Sequence, residues 1–315
     1  VAAARPPATA AGQTVWYFAA ALALGTVGYF ASEALFWSFV PDDTGLLGIA
    51  LTVLVYTLAA GAGLSAALAT GLGGWRGAFL GGAIMGFGVE GAIVATMYDG
   101  FPLQLVWTPI AWHALVSGVG VLGLGVWGAG ASPARQVAML AAIGVAAGIW
   151  SFYWPLERPV LPPWPMTAAY LVGTGALAAL GLAALDRLLP GLRPPRAALL
   201  VLPACLLALF AVMTVIDPRP QRLAWVVLMG LTLLAMHRLG RPGTDLLARP
   251  PAPAWRHALF LVLPAITAAI AATVPATGGL GVNIPAAFAL GLSGLALWLY
   301  LVASAVRLPR AQHMA

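Results

Sequence analysis

The chain has 315 residues, 62% of them hydrophobic and 8% charged, with a formal net charge of +6. So little polar surface excludes a water-soluble globule and points to an all-α, polytopic integral membrane protein. The positive charge comes from fifteen arginines scattered through short connections instead of lining one face, which sets nucleic acid aside as a partner. There is no lysine, so a Schiff base to retinal or pyridoxal cannot form, and the single Cys205, inside an apolar run, reads as a small packing residue.

The opening segment VAAARPPATAAGQ lacks the basic, apolar and cleavable order of a signal peptide, and the apolar run after it is expected to stay as the first helix. Cutting at Pro, Gly and charge clusters gives ten apolar stretches near the roughly 20 residues that a spanning helix needs. They cover 15–37, 46–70, 76–96, 107–129, 136–154, 166–185, 197–216, 222–240, 257–275 and 285–306. With a cytoplasmic N-terminus, twelve arginines fall inside: Arg5, Arg76, Arg135, Arg187, Arg193, Arg196, Arg238, Arg241, Arg249, Arg256, Arg307 and Arg310. Only Arg158, Arg219 and Arg222 fall outside, so the positive-inside rule predicts both termini on the cytoplasmic side of an inner membrane. Among the acids, Glu33, Asp42, Asp43, Glu90, Asp99, Glu157 and Asp217 lie on or toward the outer side, and Asp186 and Asp245 inside.

Trp37, Trp107, Trp112, Trp150, Trp154, Trp164 and Trp225 gather near the outer boundary, as an interfacial aromatic belt with some members left to line a site. The Pro-rich WPLERPVLPPWP, 154–165, is the best internal boundary. It divides an N-terminal five-helix half, 1–153, which carries the polar site, from a hydrophobic scaffold half, 166–315. Five helices on each side put the halves in opposite topologies, as in inverted repeats. The stretch HRLGRPGTDLLARPPAPAWR, 237–256, reads as a surface connector beside anionic headgroups, with His237, His257 and His313 in the headgroup region.

Residues 89–115, VEGAIVATMYDGFPLQLVWTPIAWHAL, form the third and fourth helices and their outer turn. Glu90 lies about seven residues before one helix ends and His113 about six after the next begins, so at 1.5 Å per residue both sit roughly 10 Å inside the outer boundary. Pro109 is expected in the first turn of the fourth helix, and the glycines of both helices allow close approach. An ionised side chain at that depth costs about 2.5–3.5 kcal/mol or more, so Glu90 is expected to face protein and pair with His113. Glu33, Asp99, Tyr98 and Glu157 are expected around the same outward-opening cavity, walled by Trp107, Trp112 and Trp154. Ser32 and Ser117 offer hydroxyls outside any nucleophile-elbow sequence and are expected to back-bond within their helices.

A carboxylate beside an imidazole suits general acid/base work with Glu90, His113 and Asp99 as catalytic groups and Glu33, Tyr98, Trp107, Trp112, Trp154 and Glu157 at the substrate. A divalent metal on Glu90, His113 and Glu33 is an open alternative, without any paired-histidine or cysteine motif to support it. The ten-helix, five-plus-five layout is similar to the drug/metabolite transporter class. The placement of Glu90 six residues before Thr96, followed by Phe101 and Pro102, resembles membrane-bound carotenoid hydratases. No functional residue is carried over from either. The leading expectation is an enzyme acting on a lipid-like or isoprenoid substrate among membrane lipids. A proton-coupled secondary transporter of a small molecule and a noncatalytic subunit of a membrane complex or oligomer are the alternatives.

Overall fold

A computed structural model describes Pro7 and residues 9–41, 44–247 and 249–308. Arg5, Asp42, Asp43, Arg310 and His313, which entered the topology argument, lie outside the described residues. The described chain is helical throughout, with no strand. Its long helices are α1 (Ala10–Trp37), α2 (Leu46–Thr70), α3 (74–93), α4 (Gln104–Gly130), α5 (Pro133–Glu157), α6 (Trp164–Leu188), α7 (Arg196–Ile216), α8 (Arg222–Leu239), α9 (Ala254–Ala271) and α10 (Asn283–Arg307). Nine of these are long and apolar enough to cross a membrane. The remaining one, α3, is made more polar by Arg76, Glu90 and seven glycines. The protein is thus a multi-pass helical membrane protein.

Local chemistry fixes the helix ends. Thr9 caps α1 by accepting from the Gly12 N–H, and Ser132 caps α5 with Pro133 in the first turn. Gly71 ends α2 in the left-handed conformation that glycine adopts without a Cβ penalty. Two expected boundaries differ. Helix α3 stops at Ile93, because Ala95 takes a left-handed conformation (φ +62°) and turns the chain back. Helix α4 starts at Gln104, so Pro109 lies inside it, in a π-helical stretch over Trp107–Gly123 where its missing N–H leaves no α-helical ladder to break.

The two sequence halves interleave. Helix α1 packs on α6, α2 on α7 and α3 on α8, each on the helix five later, while α4 meets α10 and α5 meets α9. The residues expected in the Pro-rich linker begin as helix, since Trp154–Glu157 continues α5, and only 158–163 cross to α6 without regular structure.

One end of the bundle carries the connections 71–73, 131–132, 189–195 and 240–253 and most of the arginines; the other carries most of the tryptophans. At the arginine end the expected surface connector is largely exposed, as over 241–245, but is anchored to the bundle at several points. The carbonyls of Arg241 and Leu246 lie so close to Gly71 and Gly73 that a Cβ there would approach them to 1.9 and 2.6 Å. Buried Asp186, 1% exposed, ion-pairs with Arg249 at 2.6 Å and accepts from the Ala252 N–H at 2.5 Å and from His257 Nε2 at 3.1 Å. His257 is therefore buried within the protein, and the second half carries a buried charged cluster of its own. Arg193 adds a 2.6 Å bridge to Asp245. Cys205 also departs from expectation: it is exposed on the outer face of α7, not packed inside.

Candidate functional site

At the other end, the expected aromatic belt is largely an interior plug. Trp37, Trp107, Trp112, Trp150 and Trp154 pack with Phe36, Phe39 and Tyr153 in edge-on and stacked pairs. Three indoles find backbone acceptors that explain their burial: Trp150 and Trp154 donate to the Phe36 carbonyl at 2.6 and 3.0 Å, and Trp112 to the Ala31 carbonyl at 3.1 Å. Trp164 is exposed, and Trp225 stacks on Phe210 elsewhere.

Beneath the plug lies a polar network carried by α1, α2, α3 and α4. Glu90 and His113 meet as the sequence predicts, with Glu90 Oε1 2.8 Å from His113 Nε2. Close backbones make this contact reachable: a Cβ on Gly86 would lie 2.5 Å from the Pro109 carbonyl, and one on Gly82 2.9 Å from that of His113. The turn at Ala95 brings Thr96 over Glu90, where its hydroxyl donates to Oε2. On the other side of the ring, His113 Nδ1 lies 2.9 Å from Ser32 Oγ, which lies 2.9 Å from Ser117 Oγ. With Nε2–H donating to the carboxylate, Nδ1 accepts from Ser32, and Ser32 accepts from Ser117.

Every one of these groups sits in or next to a π-helical segment: Ser32 in Phe30–Ala34, Glu90 in Gly88–Ile93, His113 and Ser117 in Trp107–Gly123. The wider turn re-aims side chains relative to an α-helix, and such segments recur at functional sites. Serines expected to back-bond face one another across α1 and α4 for this reason. An α-helical spacing gives no hint of it, so the sequence does not single out Ser32 and Ser117.

The other expected site residues separate into different groups. Glu33 is close by, but its carboxylate is held by the Tyr56 hydroxyl at 2.8 Å and the Trp37 indole at 3.0 Å. Tyr56 in turn sets its ring 6.0 Å from that of His113. Asp99 does not join the network: it is 64% exposed and paired with Arg219 at 2.8 Å. Tyr98 donates to the Gly91 carbonyl and carries Arg222 over its ring. Glu157 is exposed beside Tyr153. Among the described residues, no three His, Cys, Asp or Glu side chains converge as metal ligands, since Glu33 is turned to its own two donors.

The cavity that reaches the network also differs from expectation. About 120 Å³ in volume, it runs from Ser117 to the arginine end, not toward the plug. Its walls are apolar and glycine-rich, from Val27, Leu64, Met85, Gly118, Leu122 and Trp127 down to Leu72, Leu246 and Leu247. Ser117 is the one member of the hydrogen-bonded network that lines it, so the geometry is a relay: carboxylate, imidazole, hydroxyl, hydroxyl, cavity.

Searches against protein families, curated proteins and solved structures find no significant match to the chain.

Proposed function

We propose that this protein is a membrane-embedded enzyme that performs acyl transfer on a hydrophobic ester, with Ser117 as the nucleophile and Ser32, His113 and Glu90 as its proton relay. The observation that carries this reading is the unbroken line of contacts from Glu90 to Ser117, ending at an apolar cavity. A serine hydroxyl is a weak nucleophile unless a base takes its proton, and a base works best when a third group orients it. Here Ser117 passes its proton to Ser32 as Ser32 passes its own to His113 Nδ1. The imidazolium that forms is stabilised by Glu90. Ser117 Oγ bonds to the ester carbonyl carbon, the bond to the alcohol oxygen breaks, and the alcohol leaves with the proton returned through the relay. Water then attacks the acyl carbon, passing its proton to Ser32 as Ser32 passes its own to His113; the bond to Ser117 Oγ breaks, Ser117 regains its proton from His113 through Ser32, and the acid is released.

An alkyl fluorophosphonate tests the reading without knowledge of the substrate, because an activated serine displaces fluoride and keeps the phosphonyl group. Mass spectrometry is expected to find the adduct on Ser117. His113→Gln is expected to slow labelling at least about 100-fold, the lower range for loss of a general base. An unlabelled Ser117 in folded protein would overturn the reading and favour a proton-coupled carrier, for which the exposed Thr96 at the far end of the relay would be the proton's exit.

In the bilayer, the arginine end is proposed to be cytoplasmic, by the positive-inside rule. In a Cys205→Ser background, a membrane-impermeant thiol reagent added outside should modify Asp99→Cys and spare Arg241→Cys; the opposite pattern would invert the orientation.

A further inference from the structure

The cavity beside Ser117 is open, and its opening lies at the arginine end, where it is lined by Gly74, the exposed first residue of α3. We propose that this cavity is a binding site for one apolar chain of an anionic amphiphile, inserted from the arginine end with its charged head left outside at the mouth. Shape and wall chemistry argue for the chain. Gly74 and Met85 both line the cavity and stand eleven residues apart on one α-helix, so it runs roughly 16 Å along the bundle at 1.5 Å per residue. A volume of about 120 Å³ spread over that length has the width of a single chain. Small residues on three helices leave this space, and at Gly81 an added Cβ would meet nothing closer than 3.8 Å. Among the described residues, Ser117 and the Trp127 indole carry the only polar side-chain atoms in the walls, so a polar group inside would lose its hydration without replacement.

Charge argues for the head. Two residues beyond Gly74, Arg76 is exposed, with its guanidinium 5.5 Å from the centre of the exposed Trp75 ring. Arg241, whose carbonyl packs at Gly71, is exposed as well. Among the described residues neither arginine has an acidic partner, and Asp245, the acid of that connection, is already held by Arg193 at 2.6 Å. Unpaired arginines beside an indole are the groups that draw an anionic head to a membrane surface. A cationic head at this mouth would add to their repulsion.

The test uses the full chain in vesicles and reads photoadducts, so its outcome stands whether or not Ser117 reacts with a fluorophosphonate. A fatty acid with a diazirine at its chain tip is expected to mark Leu64, Met85 or Leu122. Moving the diazirine beside the carboxylate is expected to shift the adducts to Trp75 and its neighbours. Arg76→Gln is expected to lower deep labelling about fivefold, the scale of one arginine at an anionic surface, and a trimethylammonium head in place of the carboxylate to lower it at least as much. Gly81→Leu, which fills the cavity from a position with room for a Cβ, is expected to abolish the deep adducts. An excess of unlabelled fatty acid should do the same in the native protein, and it serves if Gly81→Leu fails to fold. An anionic diacyl phospholipid with the same tip label identifies the source: deep adducts from it as well uphold the site with a bilayer lipid as occupant, and deep adducts from the fatty acid alone uphold it with a free amphiphile. Tip adducts confined to lipid-facing residues of α7 and α10 would overturn the site. Equal deep labelling by the anionic and cationic probes would overturn the anionic head.

Discussion

Two buried carboxylate–histidine pairs lie at opposite ends of this bundle, and they differ in what surrounds the carboxylate. Asp186 meets His257, but also Arg249 and a backbone N–H, so a fixed cation and a fixed donor stand beside its carboxylate. Glu90 meets His113 and a threonine hydroxyl, with no arginine in contact among the described residues, and remains 12% exposed. The imidazoles differ likewise: His113 continues through Nδ1 to two serines and a cavity, whereas His257 has no hydrogen-bond partner at Nδ1 among the described residues. A carboxylate compensated by arginine holds structure in place. One compensated only by imidazole and hydroxyls is left to stabilise charge that develops on its partner during a reaction.

The largest expected effect therefore belongs to the arginine end. Replacing Arg249 with Met removes the cation but leaves the Asp186 carboxylate buried, and breaking such a pair from one side costs about 3–5 kcal/mol. Unfolding in mild detergent should show that loss for Arg249→Met. Glu90→Gln should cost less, about 1.5–3 kcal/mol, the scale of a hydrogen bond to a charged group, while abolishing adduct formation at Ser117. Equal stability losses in the two variants would erase the distinction between the pairs.

The contrast also explains what was legible in the sequence. Counting 1.5 Å per residue along two antiparallel helices was enough to bring Glu90 to His113, since both lie on one hairpin. The ten helices were legible because apolar length and arginine placement need no tertiary information. Asp99 was misassigned because its partner, Arg219, arrives from a connection 120 residues away. Asp186 and His257 were passed over for the same reason, being 71 residues apart on α6 and α9. The serines were hidden differently, by π-helical turns that no hydrophobic period reveals. The anchor points of the connector at the arginine end could not be read from composition, because Pro, Arg and Gly do not say which residues of a surface connection pack.

A third group, at the surface of the tryptophan end, gives the smallest expected effect and calibrates the other two. Asp217 accepts from Arg219 at 2.7 Å and from Arg222 at 3.3 Å, and Arg219 also bridges to Asp99. The hydrogen bond from Arg219 is the main cause that holds the Asp217 carboxyl below its ordinary value; Arg222 adds to it. A carboxyl depressed in the folded state stabilises the fold above its unfolded value of about 3.9 and loses that contribution as pH falls through the folded value. Exposure keeps the contribution small, and salt screens it over about 8 Å at physiological ionic strength. The unfolding midpoint of Asp217→Asn should therefore lie slightly below that of the native protein at neutral pH and low salt. The gap should narrow both on acidification below the ordinary carboxylate range and on adding salt. Arg249→Met, whose carboxylate is buried, should keep its deficit in salt. If the Asp217→Asn gap were equally indifferent to salt, the surface cluster would be held by packing of Arg222 against Tyr98 and Phe210, not by charge.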